Sequence, residues 1–266
     1  MSKNTVPALV CENVTMKFGG LTAVSDFNLR VPEGALYGLI GPNGAGKTTV
    51  FNIVSGVLRP SAGAIKLFGD DITGLSPDRI AYRGIARTFQ NIRLFQNLTV
   101  LDNVLVGLHL RREVNLAQAL LALPQHRAEE ARMAQTATQL LEEVGLDDFS
   151  DYRANALPYG QQRRLEVARA LATKPKVLLL DEPAAGMNPA ETENLMRLIT
   201  DIREEFGVTI LLIEHEMKVV MGICERMTVL DHGEIIAEGT PAEIQRNERV
   251  IKAYLGGGAV VGNKGS

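Results

Sequence analysis

Nine residues, Gly41, Pro42, Asn43, Gly44, Ala45, Gly46, Lys47, Thr48 and Thr49, directly follow the apolar run Ala35–Ile40. The spacing is G-x-x-x-x-G-K-T, and its place after an expected strand and before an expected helix commits the chain to an α/β layout. Glycines at 41, 44 and 46 remove the Cβ atoms that would keep backbone N–H groups from closing around phosphate oxygens. The helix start behind them adds the positive end of its dipole. Lys47 is expected to reach the β- and γ-phosphates and Thr48 to ligate Mg²⁺, so the loop reads as a site for ATP.

The rest of the chain sets bounds on that reading. With 266 residues, 45% hydrophobic and 22% charged, there is ample apolar surface for one large core. A net charge of -3 and a pI near 5.9 argue against a protein built to neutralise nucleic-acid phosphates, and no nucleic-acid partner is expected. The longest apolar runs, such as Val177–Leu180 and Val208–Ile213, fall far short of the roughly 20 residues that span a bilayer. Met1 is not followed by an apolar signal region, which places the expected chain in the cytoplasm. Cys11 and Cys224 lack metal-ligand spacing and read as small buried hydrophobes in a reducing compartment.

Ala8–Val14 and Phe27–Val31 read as short strands of an antiparallel layer, joined by Ile65–Phe68. From Val100 to Leu146 the apolar residues recur at helical spacing, with a break expected at Pro124–His126 and a stop at Gly145. Val177–Leu180, Val208–Ile213 and Met227–Leu230 then read as strands of a buried parallel sheet. Gly233–Gly239 is expected to form a small hairpin. Pro241 is expected to start a terminal helix running toward Leu255, before a glycine-rich tail.

Two carboxylates, Asp181 and Glu182, end the apolar run Val177–Leu180, where a strand reaches the edge at which open α/β sheets bind ligands. Asp181 is expected to support Mg²⁺ through its water shell. Glu182 is expected to act as general base for a water attacking the γ-phosphate. His215 follows the strand Val208–Ile213 and emerges at the same edge, where an imidazole can contact the γ-phosphate; a structural surface histidine is the competing reading.

Together these pieces resemble the ATP-binding subunits of ABC transporters, over about Leu9 to Leu255. The selective marker is Leu157-Pro-Tyr-Gly-Gln161, which stands where that family has Leu-Ser-Gly-Gly-Gln. Pro158 replaces serine and Tyr159 replaces glycine. Gly160 and Gln161 open a helix whose positions Leu165, Ala168 and Leu171 form one apolar face while Arg163 and Arg164 stay polar. The resemblance implies that Tyr159, Gly160 and Gln161 cap the γ-phosphate held by another subunit, so that two subunits sandwich two ATP molecules. It also implies adenine stacking by Phe18, for which a core phenylalanine is the alternative, and contact of Gln90 with Mg²⁺ and water. Asn188 stands where the family's loop ends in aspartate.

The implied fold is a P-loop α/β core, at 1–90 and 166–240, with an antiparallel β layer. A helical subdomain at 91–165 and a C-terminal helix and tail at 241–266 complete it. Ile92–Val100, Tyr159–Glu166, Asp181–Pro189, Ile213–Lys218 and Ala253–Gly256 resemble the subgroup serving branched-chain amino acid importers. The implied partners are a second cassette, of the same or a different chain, transmembrane permease subunits and, indirectly, a solute-binding protein. The implied place is the cytoplasmic face of the inner membrane, with Asn91–Leu105 receiving the permease. Cassettes for urea, amides or lipopolysaccharide, and a soluble regulator acting on nucleic acid or ribosomes, are the alternatives.

Overall fold

A computed structural model describes residues 6–110, 124–215 and 217–256. Two sheets organise them. The first is antiparallel and takes β1 (Leu9–Phe18), β2 (Leu21–Val31), β4 (Ala62–Leu67) and β5 (Asp70–Asp71) in the order β2-β1-β4-β5. The second orders β10 (Glu234–Gly239), β9 (Arg226–Asp231), β3 (Leu36–Ile40), β8 (Thr209–Glu214), β7 (Val177–Asp181) and β6 (Ile85–Arg87). Its pairings are parallel from β9 through β6, and β10 closes back antiparallel on β9, so the hairpin expected within Gly233–Gly239 is instead formed by β9 and β10 together.

The parallel strands are apolar without alternation because both faces are covered. Along β3, Tyr37 and Leu39 face the antiparallel sheet and α1 (Lys47–Val54), where they meet Leu9, Phe27, Leu29, Phe51 and Ile65. Leu36 and Ile40 face the opposite way, into a second core shared with the remaining helices. The same period of two sends Leu179 and Leu211 one way and Leu178, Leu180, Ile210 and Leu212 the other. Each such side chain contributes about 2 kcal/mol by leaving water. Packed on both sides, the sheet is a rigid base that fixes where its strand ends point.

The helices are α2 (Pro77–Arg83), α3 (Val100–His109), α4 (Pro124–Glu143), α5 (Tyr159–Ala172), α6 (Pro189–Phe206), α7 (Met217–Ile223), α8 (Pro241–Gln245) and α9 (Glu248–Gly256). α3 starts with a capping box: the Thr99 hydroxyl accepts from Asp102 N, and the Asp102 carboxylate answers to Thr99 N. α3, α4 and the apolar face of α5 bury Val104, Leu108, Leu141, Leu165 and Ala168 against one another.

Several expectations change in detail. Pro124 is the first residue of α4, a position a proline tolerates because its missing N–H has no helical partner there. The expected terminal helix is two helices. The Asn247 side chain accepts from Arg249 N and Val250 N, which caps α9 afresh. β4 stops at Leu67 because Phe68 turns to a φ of 49°. The tail beyond Gly256 lies outside the described residues. The largest correction is Arg163, expected on a polar face but 2% exposed.

Candidate functional site

The loop at 41–49 wraps the exit of β3, and its glycines are dictated by neighbours on both sides. A Cβ on Gly41 would stand 2.0 Å from the Leu230 carbonyl oxygen, and Gly46, at a φ of 105°, has Ala23 O 2.8 Å from the same point. The loop is therefore held between the β9 strand and the β2 strand. Gly46 caps α1, and Lys47 and Thr48 are that helix's first residues. Lys47 Nζ donates to Gly41 O at 2.8 Å and to Pro42 O at 2.9 Å. Burial lowers the Lys47 pKa, against the pull of Glu182, Asp181 and Glu214 in the other direction.

A cavity of about 480 Å³ opens over the loop. Asn43 through Thr49 line it, with Gln90 and Glu182 on the far side. Glu182 sits just past β7 at a φ of 46°, a left-handed conformation that costs a non-glycine residue about 1 kcal/mol. That twist turns its side chain away from the direction Asp181 takes. Gln90 Nε2 donates to Glu182 Oε2 at 2.9 Å, and His215 Nδ1 lies 3.5 Å from the same oxygen. Thus the structure gathers four of the residues singled out above, Lys47, Gln90, Glu182 and His215, within reach of one volume.

Asp181 takes another role in this geometry. Its buried carboxylate accepts from Arg87 Nη2 at 2.7 Å, and Arg87 Nη1 also donates to Asn52 Oδ1 and Ser55 Oγ. Glu214 is likewise buried: its carboxylate accepts from Ala184 N at 3.2 Å and lies 3.9 Å from His215 Nδ1. Burial pushes its pKa up to about 7, despite the Ala184 and His215 contacts and aided by the charge of Glu182. Neither Arg87 nor Glu214 was given a role from sequence, because nothing local says which buried partner each will meet.

Phe18 ends β1 opposite Leu21, and it is 45% exposed, so it does not belong to the core. Leu21, Thr22 and Ala23, together with His232 from the β9–β10 turn, line the cavity, and no sequence pattern singled them out. The signature residues stand apart. No residue of 157–161 lines the cavity over the loop; Gly160 and Gln161 border a separate depression with Glu191 and Met187. Asn188 caps α6, with its side chain accepting from Glu191 N at 3.0 Å.

Among the described residues, no group of three or more His, Cys, Asp or Glu side chains is placed to hold a metal ion. Thr48 and Gln90 line the cavity and carry the hard oxygen donors that suit Mg²⁺ when phosphate oxygens and water complete the shell, whereas Asp181, bonded to Arg87, is not among the lining residues.

A phosphate loop at the exit of β3, a carboxylate at the exit of β7, two strands along in the same parallel sheet, and a separate glycine-containing helix start define an ATP-binding cassette, and the chain belongs to the ABC transporter family. The pattern of that family matches residues 24–185, and that of the branched-chain amino acid ATP-binding cassette transporters matches residues 234–260. The chain is 49% identical over 250 residues, 94% of its own length and 98% of the relative's, to the high-affinity branched-chain amino acid transport ATP-binding protein BraF of Pseudomonas aeruginosa. Its fold superposes with a TM-score of 0.82 on the ADP conformation of MJ1267, an ATP-binding cassette of an ABC transporter. That pair is 30% identical, covering 95% of this chain and 100% of that one. A dimeric post-hydrolysis cassette, MJ0796 bound to ADP and Pi, matches with a TM-score of 0.73 at 27% identity, over 88% of this chain and 98% of that one.

Proposed function

We propose that this chain hydrolyses ATP to energise uptake of branched-chain amino acids, or close analogues, as one of two cassettes docked beneath permease subunits. The observation that carries the hydrolytic half is the Glu182 carboxylate, held by the Gln90 amide at 2.9 Å across the cavity from Lys47 and Thr48. The cargo half is supported by the likeness to BraF along nearly the whole chain and by the match at 234–260.

In this reading Lys47 leaves the Gly41 and Pro42 carbonyls and carries its charge to the β- and γ-phosphates. The backbone N–H groups of residues 43–48 surround the same oxygens. Phe18, exposed at the end of β1 and paired with the cavity-lining Leu21, stacks on adenine. Thr48 and Gln90 would hold Mg²⁺, with Asp181 supporting it through water from its place beside Arg87, and the ion would supply charge neutralisation to the phosphates. Glu182 takes the proton of the attacking water, and His215 fixes the carboxylate and the departing phosphate. Gly160 and Gln161, with the Tyr159 backbone beside them, close the partner's site, because they stand away from their own. The core at 1–90 and 166–240 holds nucleotide, and the helical subdomain at 91–165 transmits its state.

Permease docking is assigned to a groove of about 390 Å³ walled by Val57, Ile80, Phe89, Phe95 and Val106, with Arg169 at its edge. Phe95 comes from the segment 91–105, while the other walls rise from the core and from α3 and α5. Among the described residues no helix is long and apolar enough to cross a membrane, which suits a peripheral subunit held at the inner membrane's cytoplasmic face by those partners. A solute-binding protein would deliver cargo on the opposite side.

Glu182→Gln tests the chemistry. Turnover is expected to fall about 10²- to 10⁴-fold while binding of trinitrophenyl-ATP is retained, and undiminished turnover removes Glu182 as the base. Uptake of labelled leucine in a strain lacking the chain tests the cargo. Normal leucine uptake with lost urea or amide uptake would reassign it.

A further inference from the structure

Tyr159 replaces the glycine of the resembled signature, and neither phosphate binding nor the start of α5 calls for a phenol there. Its bonds supply a reason. The hydroxyl donates to Ala185 O at 3.0 Å and accepts from Arg163 Nη2 at 3.0 Å, so its donor and an acceptor site are both engaged. The ring lies beside Gly186. Ala185 N in turn donates to Glu182 O at 3.1 Å, so the turn that Tyr159 grips begins with Glu182 itself.

The other end of the connection is equally defined. Buried Arg163 donates through Nη1 to Phe89 O at 2.6 Å and through Nη2 to Gln90 O. Glu166, one helical turn on, accepts from Phe89 N and Arg93 N at 3.3 Å each. One helix start therefore holds the segment carrying Gln90 with an arginine and the turn carrying Glu182 with a tyrosine. The two side chains are bonded to each other.

We propose that Tyr159 is a positioning residue: it latches the 182–186 turn to the start of α5, so that Glu182, Gln90 and the signature move as one body. A glycine at 159 would leave the Ala185 carbonyl to water, and the turn would be free to move apart from the lobe. A tyrosine suits the task because its two rotatable bonds lose little entropy when fixed. The inference rests on the catalytic reading of Glu182 given above, but the latch itself is a contact that can be measured without reference to chemistry.

The test is hydrogen exchange by mass spectrometry on the full chain, with steady-state ATP turnover, for Tyr159→Phe. Losing the hydroxyl bonds while keeping the ring is expected to speed exchange at 183–188 about 5- to 10-fold, with exchange at 41–49 and the Tm unchanged. The kcat is expected to fall about 5-fold at constant KM for ATP, since the nucleotide's own loop is untouched. Tyr159→Gly should enlarge both effects. Unaltered exchange at 183–188 in the Phe variant, a wild-type kcat in the Gly variant, or a lowered Tm with uniformly faster exchange would each overturn the proposal. If Glu182→Gln turned over normally while Tyr159→Phe still freed the turn, the base assignment would fall and the latch would stand.

Discussion

The phosphate loop and the signature segment are two glycine-containing helix starts in one chain, built in opposite ways. The loop at 41–49 draws most of its hydrogen bonds from neighbours in sequence: Lys47 bonds back five and six residues, and Ala45 N and Val50 N bond to Pro42 O and Gly46 O, while Ala45 O accepts one distant bond from Gly233 N. The start of α5 is assembled from afar. Tyr159 reaches 26 residues forward, and Arg163 reaches more than 70 back. A local site keeps its shape while its surroundings shift; one held by distant bonds reports where those distant segments are. That division suits a protein in which one site grips the nucleotide and the other senses the rest of the fold.

The largest expected effect lies at Lys47. Lys47→Ala removes the only charged side chain of the loop, and trinitrophenyl-ATP binding and turnover should both fall by about 10²- to 10³-fold, with the Tm unmoved. A large drop in Tm would mean that the loop also holds the fold together.

Arg163→Met should do the reverse. It strands the buried Glu166 carboxylate and two backbone carbonyls, at about 3 kcal/mol, which thermal melting should register as roughly 10 °C. Exchange at 89–93 should quicken while 41–49 stays protected. Equal loss of protection in both segments would erase the contrast.

The smallest effect concerns Glu214. Its pKa is raised in the folded chain to about 7, so the fold binds a proton there that the unfolded chain releases at lower pH. Its contribution to stability is therefore full in acid and fades as pH rises from the unfolded carboxylate range toward 7. Glu214→Gln keeps an acceptor for Ala184 N without the charge. Its Tm should exceed wild type by on the order of 5 °C at pH 8 and match it near pH 5. A gap of equal size at both pH values would count against burial as the cause.

Legibility in the sequence follows the same division. The loop, the parallel strands and the carboxylates at the exit of β7 could be read because their chemistry is contiguous. A run such as Val177–Asp181 says by itself that it is buried on two faces and where it ends. Arg163 was misread because helical periodicity reports the side a residue faces and not what fills that side. A helix packed against the Phe89–Arg93 backbone can bury an arginine that satisfies two carbonyls. Arg87 beside Asp181, Glu214 behind His215 and His232 at the cavity rim are likewise products of strand order, which no local pattern encodes. The split of the terminal helix at Asn247 was local chemistry that the apolar spacing overshadowed.

Cys11 and Cys224 are buried, and burial pushes both thiols up to about 12. The chain has no other cysteine and no tryptophan. To a maleimide dye the native protein is therefore nearly blank, and it has no tryptophan emission beside that of its tyrosines. One cysteine or tryptophan placed beside the 183–188 turn would speak alone, and the motion of that turn against the nucleotide could be followed in real time without first stripping the molecule of its own signals.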